Sequence, residues 1–249
     1  MKTTELITAL SGEGRALAAA ARQAGPDAPV PTCPGWQIRD LLRHTGAVHR
    51  WAAAFVTEGY TNGRPLGGEP DLDGDELLQW YVEQHRLLVG ALTRAPEDLD
   101  CWTFLPAPSP EPLPPRAFWA RRQAHETAVH RVDAESALGG GPGTVPEHLA
   151  ADGIDELLRG FHARPKSRVR TEEPRTLRVR ATDTGDAWTV RLSPEPPRTE
   201  RAAEGPAECE LSGPADRLYL ALWNRLPLAA VSVTGDADLA RLWREKSGI

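Results

Sequence analysis

Cysteine is scarce in this chain of 249 residues. Its three copies, Cys33, Cys101 and Cys209, are widely spaced and odd in number, which argues against a disulfide framework or a thiolate metal cluster and for thiols in a reducing compartment. Long apolar runs are missing too. No window reaches 18 consecutive apolar residues, and the start, MKTTELITALSGEGRALAAAARQAG, lacks the basic opening, apolar stretch and small-residue cleavage site of a secretory leader. No membrane is expected as a partner, and the cytoplasm is the expected location. Lysine is nearly absent, with Lys2, Lys166 and Lys246 its only copies, and the formal net charge is -6. Without a basic face, nucleic acid is excluded as the main partner.

What is present is ordinary globular material, 40% hydrophobic and 26% charged, in a chain long enough for two domains. Residues 3 to 23 repeat apolar side chains at helical spacing (Leu6, Ala9, Leu10, Leu17, Ala20, Ala21) until GPDAPVPTCPG breaks the pattern. The same periodicity predicts helices over residues 37–56, 75–92 and 117–138, and EHLAADGIDELLRGFHAR reads as a fifth. FLPAPSPEPLPPR and GGGPGTVPEH bracket the fourth helix. After Pro165 the texture changes: TLRVRAT, AWTVRLS and AECELSG alternate with period two, ADRLYLALWNRL is an amphipathic helix, AAVSVTGD a short strand and DADLARLWREKSG a capped final helix. The expected architecture is α+β in two domains: an antiparallel up-down bundle of four long helices plus one over residues 1–164, and a small α+β domain over 165–249.

The fourth helix holds the segment HETAVH, residues 125–130. Residues four apart lie one turn apart on nearly the same face, so Glu126 and His130 can converge on one point, on a stripe shared with Trp119, Asp133 and Ala137. Arg121, Arg131 and Glu135 fall on the opposite side. Burying an unpaired carboxylate costs several kcal/mol, roughly, so Glu126 needs a cation or a metal as its partner. The two histidines here are five apart, unlike the pair in HExxH, and His125 points about 100° away from Glu126. A structural role suits it. A third ligand must come from another helix, and WQIRDLLRHTGAVHRWAAAF offers His44 and His49, which flank the inward stripe of Leu41, Thr45, Val48, Ala52 and Phe55 almost symmetrically. Periodicity does not choose between them. Trp36 is expected to pack at the start of the second helix, with no chemistry assigned.

Three segments in order, PTCPGWQIRDLLRHTGAVHRWAAAF, FWARRQAHETAVHRVDAE and ALWNRLPLAAVSVTGD, give the chain a resemblance to the mycothiol-dependent maleylpyruvate isomerase family over nearly its whole length. The resemblance implies a DinB-like metal-binding bundle followed by a sterol-carrier-protein-like α/β sandwich. It implies His44, Glu126 and His130 as ligands of a divalent metal, usually zinc, and an arginine of the LWNR segment, Arg225, directed at the substrate. Two imidazoles, a carboxylate and an open position describe a catalytic zinc site, which can bind a thiol and lower its pKa; mycothiol is the thiol implied. Asp133 is then placed to fix a ligand imidazole, or alternatively to pair with an arginine. Arg225, or Arg122 one turn before Glu126, would hold a substrate carboxylate or the thiol cofactor through a bidentate fork.

The implied function is metal-dependent activation of a low-molecular-weight thiol for addition to an electrophilic small molecule, ending in cis–trans isomerisation or in S-transfer. The rival readings are a metal hydrolase, with Glu126 or Asp133 as base, and a non-catalytic small-molecule or lipid carrier. Both a monomer and a homodimer are compatible with the sequence.

Overall fold

Four long helices open the chain because their apolar residues recur every three to four positions. A computed structural model describes residues 1–105, 113–141, 143–203 and 205–248; most of FLPAPSPEPLPPR, and Pro142, lie outside the described residues. The helices are α1 (Thr3–Ala24), α2 (Ile38–Glu58), α3 (Gly74–Arg94) and α4 (Pro115–Ser136). Asp40 reaches back to the Gln37 amide at the start of α2 (2.9 Å) and Asp73 accepts from the Gly74 amide at the start of α3 (2.8 Å), satisfying donors a helix start leaves open. No described helix is long and apolar enough to cross a membrane.

By its contacts the chain divides into two units, residues 1–104 with 113–143, and residues 105–112 with 144–249. In the first, α1 packs against α3 and α4, and α2 also packs against α3 and α4, so α1 and α2 sit on a diagonal. The segment joining them therefore crosses an end of the bundle. Leu10, Leu17, Ile38, Leu41, Phe55, Leu77, Tyr81, Leu88 and Trp119 are all fully buried, each burial of this size contributing about 1.5–3 kcal/mol. α4 departs from the one-sided burial its stripe predicts. Arg131, on the side opposite Glu126, is also buried, because its guanidinium lies between Glu13 of α1 and Glu135, both at 2.7 Å.

The second unit is built on a five-stranded mixed sheet in the order β3-β2-β1-β4-β5. β1 (Arg175–Ala181) runs antiparallel to β2 (Ala187–Leu192) and parallel to β4 (Cys209–Gly213); β3 (Arg198–Glu200) and β5 (Ser232–Gly235) are the edges. Leu177, Val179, Trp188, Val190 and Leu211 are buried between the sheet and its helices. Among the described residues, three α-helices belong to this unit: α5 (Glu147–Glu156), continued by a π-turn over Leu157–Phe161, α6 (Ala215–Leu222) and α7 (Ala237–Lys246). The sequence pattern groups α5 with the bundle, whereas in the structure it packs against α6.

Candidate metal centre

On α4, Glu126 and His130 share a face as their four-residue spacing requires, and α2 brings His44 to the same point. Glu126 Oε1 stands 3.3 Å from His130 Nε2 and 3.5 Å from His44 Nε2. These are close to the donor–donor edges, about 3.3 Å, of a tetrahedron with metal–ligand bonds of about 2.0–2.1 Å. Each remaining polar atom of the α4 pair is occupied elsewhere. His130 Nδ1 lies 2.9 Å from Asp133 Oδ2, and Glu126 Oε2 accepts from Arg122 Nη2 at 3.0 Å. Asp133, fully buried, also accepts from the Thr32 hydroxyl at 2.7 Å. The result is one continuous chain, Thr32 to Asp133 to His130 on one side and Arg122 to Glu126 on the other, leaving Nε2 and Oε1 to face a shared point with His44. The residues present therefore fit a divalent ion.

The electrostatics follow from that packing. Burial by itself would push the Glu126 carboxyl up, but hydrogen bonds from His130 and His44 and the charge of Arg122 hold it well below the usual carboxylate range. Burial would likewise push His130 down, yet its bonds to Asp133 and Glu126 outweigh this and raise it to about 9. An anion flanked by two imidazoles is a cation-seeking arrangement.

The segment between α1 and α2 forms one wall of the centre. The Trp36 amide donates to the Cys33 carbonyl at 3.0 Å around Pro34 and Gly35, and Gly35 sits at φ +87°. This is the signature of a type II turn, with proline and glycine at its two central positions. Beyond the turn, the Trp36 ring stacks on His130 at 6.3 Å and 19° and tilts against His44 at 5.1 Å. Sequence reasoning gave Trp36 only a packing role and passed over Thr32. The CPGW turn was the signal available, but its reach to α4 depends on the diagonal placement of α1 and α2.

Other histidines lie elsewhere. His49, the alternative to His44, is fully buried; Thr127 Oγ1 lies 2.9 Å from its Nε2, and burial together with the neighbouring His85 pushes it well below the ordinary imidazole value. His125 is also fully buried and belongs to neither cluster of metal-capable donors among the described residues. Arg122 is only 2% exposed and its guanidinium pairs with Glu126. Arg225 lies in the second unit just after α6, half-buried, with Nη1 donating to the Trp223 carbonyl at 2.9 Å.

The sequence profile of the mycothiol maleylpyruvate isomerase N-terminal domain matches residues 7–135, and that of the C-terminal domain of the same family matches residues 148–242. The chain belongs to the mycothiol maleylpyruvate isomerase family. Two solved structures of mycothiol-dependent maleylpyruvate isomerase, one of a histidine-to-alanine mutant, share its fold with a TM-score of 0.62 each, at 15% and 14% identity, over 94% of this chain and 93% of theirs. No curated protein matches the chain. The family fold accounts for both units, the bundle that carries the three donors and the mixed sheet with its helices.

Proposed function

We propose that this family member is a divalent-metal enzyme that activates a low-molecular-weight thiol, mycothiol by family, for addition to an electrophilic small molecule. The outcome is cis–trans isomerisation of the maleylpyruvate type or transfer of the thiol. One observation carries the reading: Nε2 of His44, Nε2 of His130 and Oε1 of Glu126 converge, while the other polar atoms of His130 and Glu126 are tied to Asp133 and Arg122. Zinc suits this donor set, and when bound it supplies a Lewis acid that lowers the pKa of a thiol at its open position.

The chain's own residues do the rest. Asp133 accepts the His130 Nδ1–H and so keeps the Nε2 lone pair directed inward. Thr32 holds Asp133 in place, and Arg122 keeps Glu126 ionised and fixes which oxygen is presented. Trp36 covers the two imidazoles and limits water on that side. Arg225 is the proposed clamp for a carboxylate on the substrate, a role drawn from the family, since a guanidinium fork matches that group and a lysine does not.

The test is turnover of maleylpyruvate and of a chlorinated aromatic electrophile by zinc-loaded protein, with and without mycothiol. Turnover should require both metal and thiol and disappear in His44→Ala. Equal turnover without thiol would instead identify a hydrolase, and stoichiometric zinc with no turnover of any electrophile would identify a carrier.

A further inference from the structure

A second set of donors converges at the same end of the bundle. The Cys33-Pro34-Gly35-Trp36 turn places the Cys33 thiol beside α4, where its Sγ, a ring nitrogen of His130 and a carboxylate oxygen of Asp133 all lie within 4.8 Å of one another. We propose that Cys33, His130 and Asp133 form a second cation position, for a soft divalent ion such as zinc or cadmium. It shares the His130 imidazole with the first position, so that one ion takes one station or the other. This rests on the reading of His44, Glu126 and His130 as a metal centre.

Thiolate, imidazole and carboxylate together favour soft or borderline ions over magnesium or calcium. Little has to move. Asp133 Oδ2 is already 2.9 Å from His130 Nδ1, and the Thr32 hydroxyl already braces Asp133 Oδ1. Asp133 is fully buried and His130 nearly so, while half-buried Cys33 provides the route from solvent. Binding displaces the Cys33 S–H proton to solvent and clears Nδ1 of its proton, which goes to Nε2 in a neutral ring and to solvent from an imidazolium. The consequence is functional. An ion held by Cys33 and Asp133 takes the Nδ1 lone pair of His130, so the neutral ring carries its proton on Nε2 and the first position keeps only His44 and Glu126, fewer than the three protein ligands of a catalytic zinc site. The Cys33 station is therefore an inactive resting place for the metal.

Cobalt(II) is the probe, because a sulfur ligand gives it an intense near-ultraviolet charge-transfer band. Titration of the metal-free full chain should load one ion into His44→Ala with the band present, and one ion into Cys33→Ser with the band absent. The double variant should bind roughly 100-fold more weakly than either single variant. A His44→Ala protein that takes up no cobalt, or a band that survives in Cys33→Ser, would overturn the second position. Loss of cobalt from Cys33→Ser with retention by His44→Ala would sink the first position instead and leave the second supported.

Discussion

Glu126 sits between two imidazoles and a guanidinium, and His130 between two carboxylates, so each of these two proposed ligands could offer one atom to an ion while the other is anchored. Substitutions at the ligands and at the anchors should therefore differ in kind. His130→Ala removes a donor common to both groupings and should abolish stoichiometric zinc uptake, measured by metal analysis after dialysis. Retained zinc in that variant contradicts the centre as drawn. Asp133→Ala leaves all three atoms of the first position in place but frees the His130 ring and leaves the Thr32 hydroxyl with Ser136 as its side-chain partner. Its zinc affinity should fall about 10- to 100-fold, not vanish, which a chelator competition series will read. His125→Ala, outside both groupings, should keep its zinc.

At the level of elements, the same substitution has opposite signs in two places. Gly235, at the end of β5, has φ +79°, and a Cβ there would lie 2.1 Å from the Glu208 backbone oxygen. Gly235→Ala should therefore destabilise the second unit by about 2–4 kcal/mol, since backbone must shift and the left-handed conformation is strained. Gly12, inside α1, has nothing within 4 Å of such a Cβ, so Gly12→Ala should stabilise the first unit by about 0.5–1 kcal/mol. Urea midpoints measure both. The contrast shows how far sequence reached. The bundle's helices were legible because periodicity is local, and Glu126 with His130 was legible because four residues make one turn. Periodicity left the choice between His44 and His49 open, and the family resemblance alone named His44. Both flank the same stripe of α2, and only the crossing of α2 over α4 sends one to Glu126 and the other to Thr127. Trp36, Thr32 and the parallel pairing of β1 with β4 were hidden for a related reason, since each depends on partners far along the chain. α5 was grouped with the bundle because nothing in its own amphipathic pattern names α6 as its neighbour.

Across the whole molecule, zinc should act on the first unit alone, whereas acid reaches buried histidines in both. The metal donors all belong to the first unit, so saturating zinc should stabilise it by mass action, about 2.7 kcal/mol at a hundred times the dissociation constant. Hydrogen exchange should slow in α2 and α4 and stay unchanged in β1, β2 and β4. The second unit carries an acid-labile group of its own. His162 is buried, its ring edge-to-face with Trp243 at 4.6 Å and its Nδ1 3.1 Å from the Ser167 hydroxyl. Among the described residues Nε2 meets no hydrogen-bond donor or acceptor, and burial first, with the charge of Arg164 second, pushes the folded-state pKa from 6.5 down to about 4. The unfolded chain thus binds a proton at higher pH than the folded one. The stability tied to a neutral His162 is complete above about pH 6.5 and is lost as pH falls to about 4, an amount on the order of 3 kcal/mol. His162→Phe removes that titration while keeping a ring against Trp243. In urea denaturation from pH 7.5 to 4, the variant should start no more stable than the wild type, because the contact with Ser167 is gone, and should gain on it steadily as the pH drops. A difference between the two that stays constant over that range would mean that protonation of this imidazole does not limit the second unit in acid.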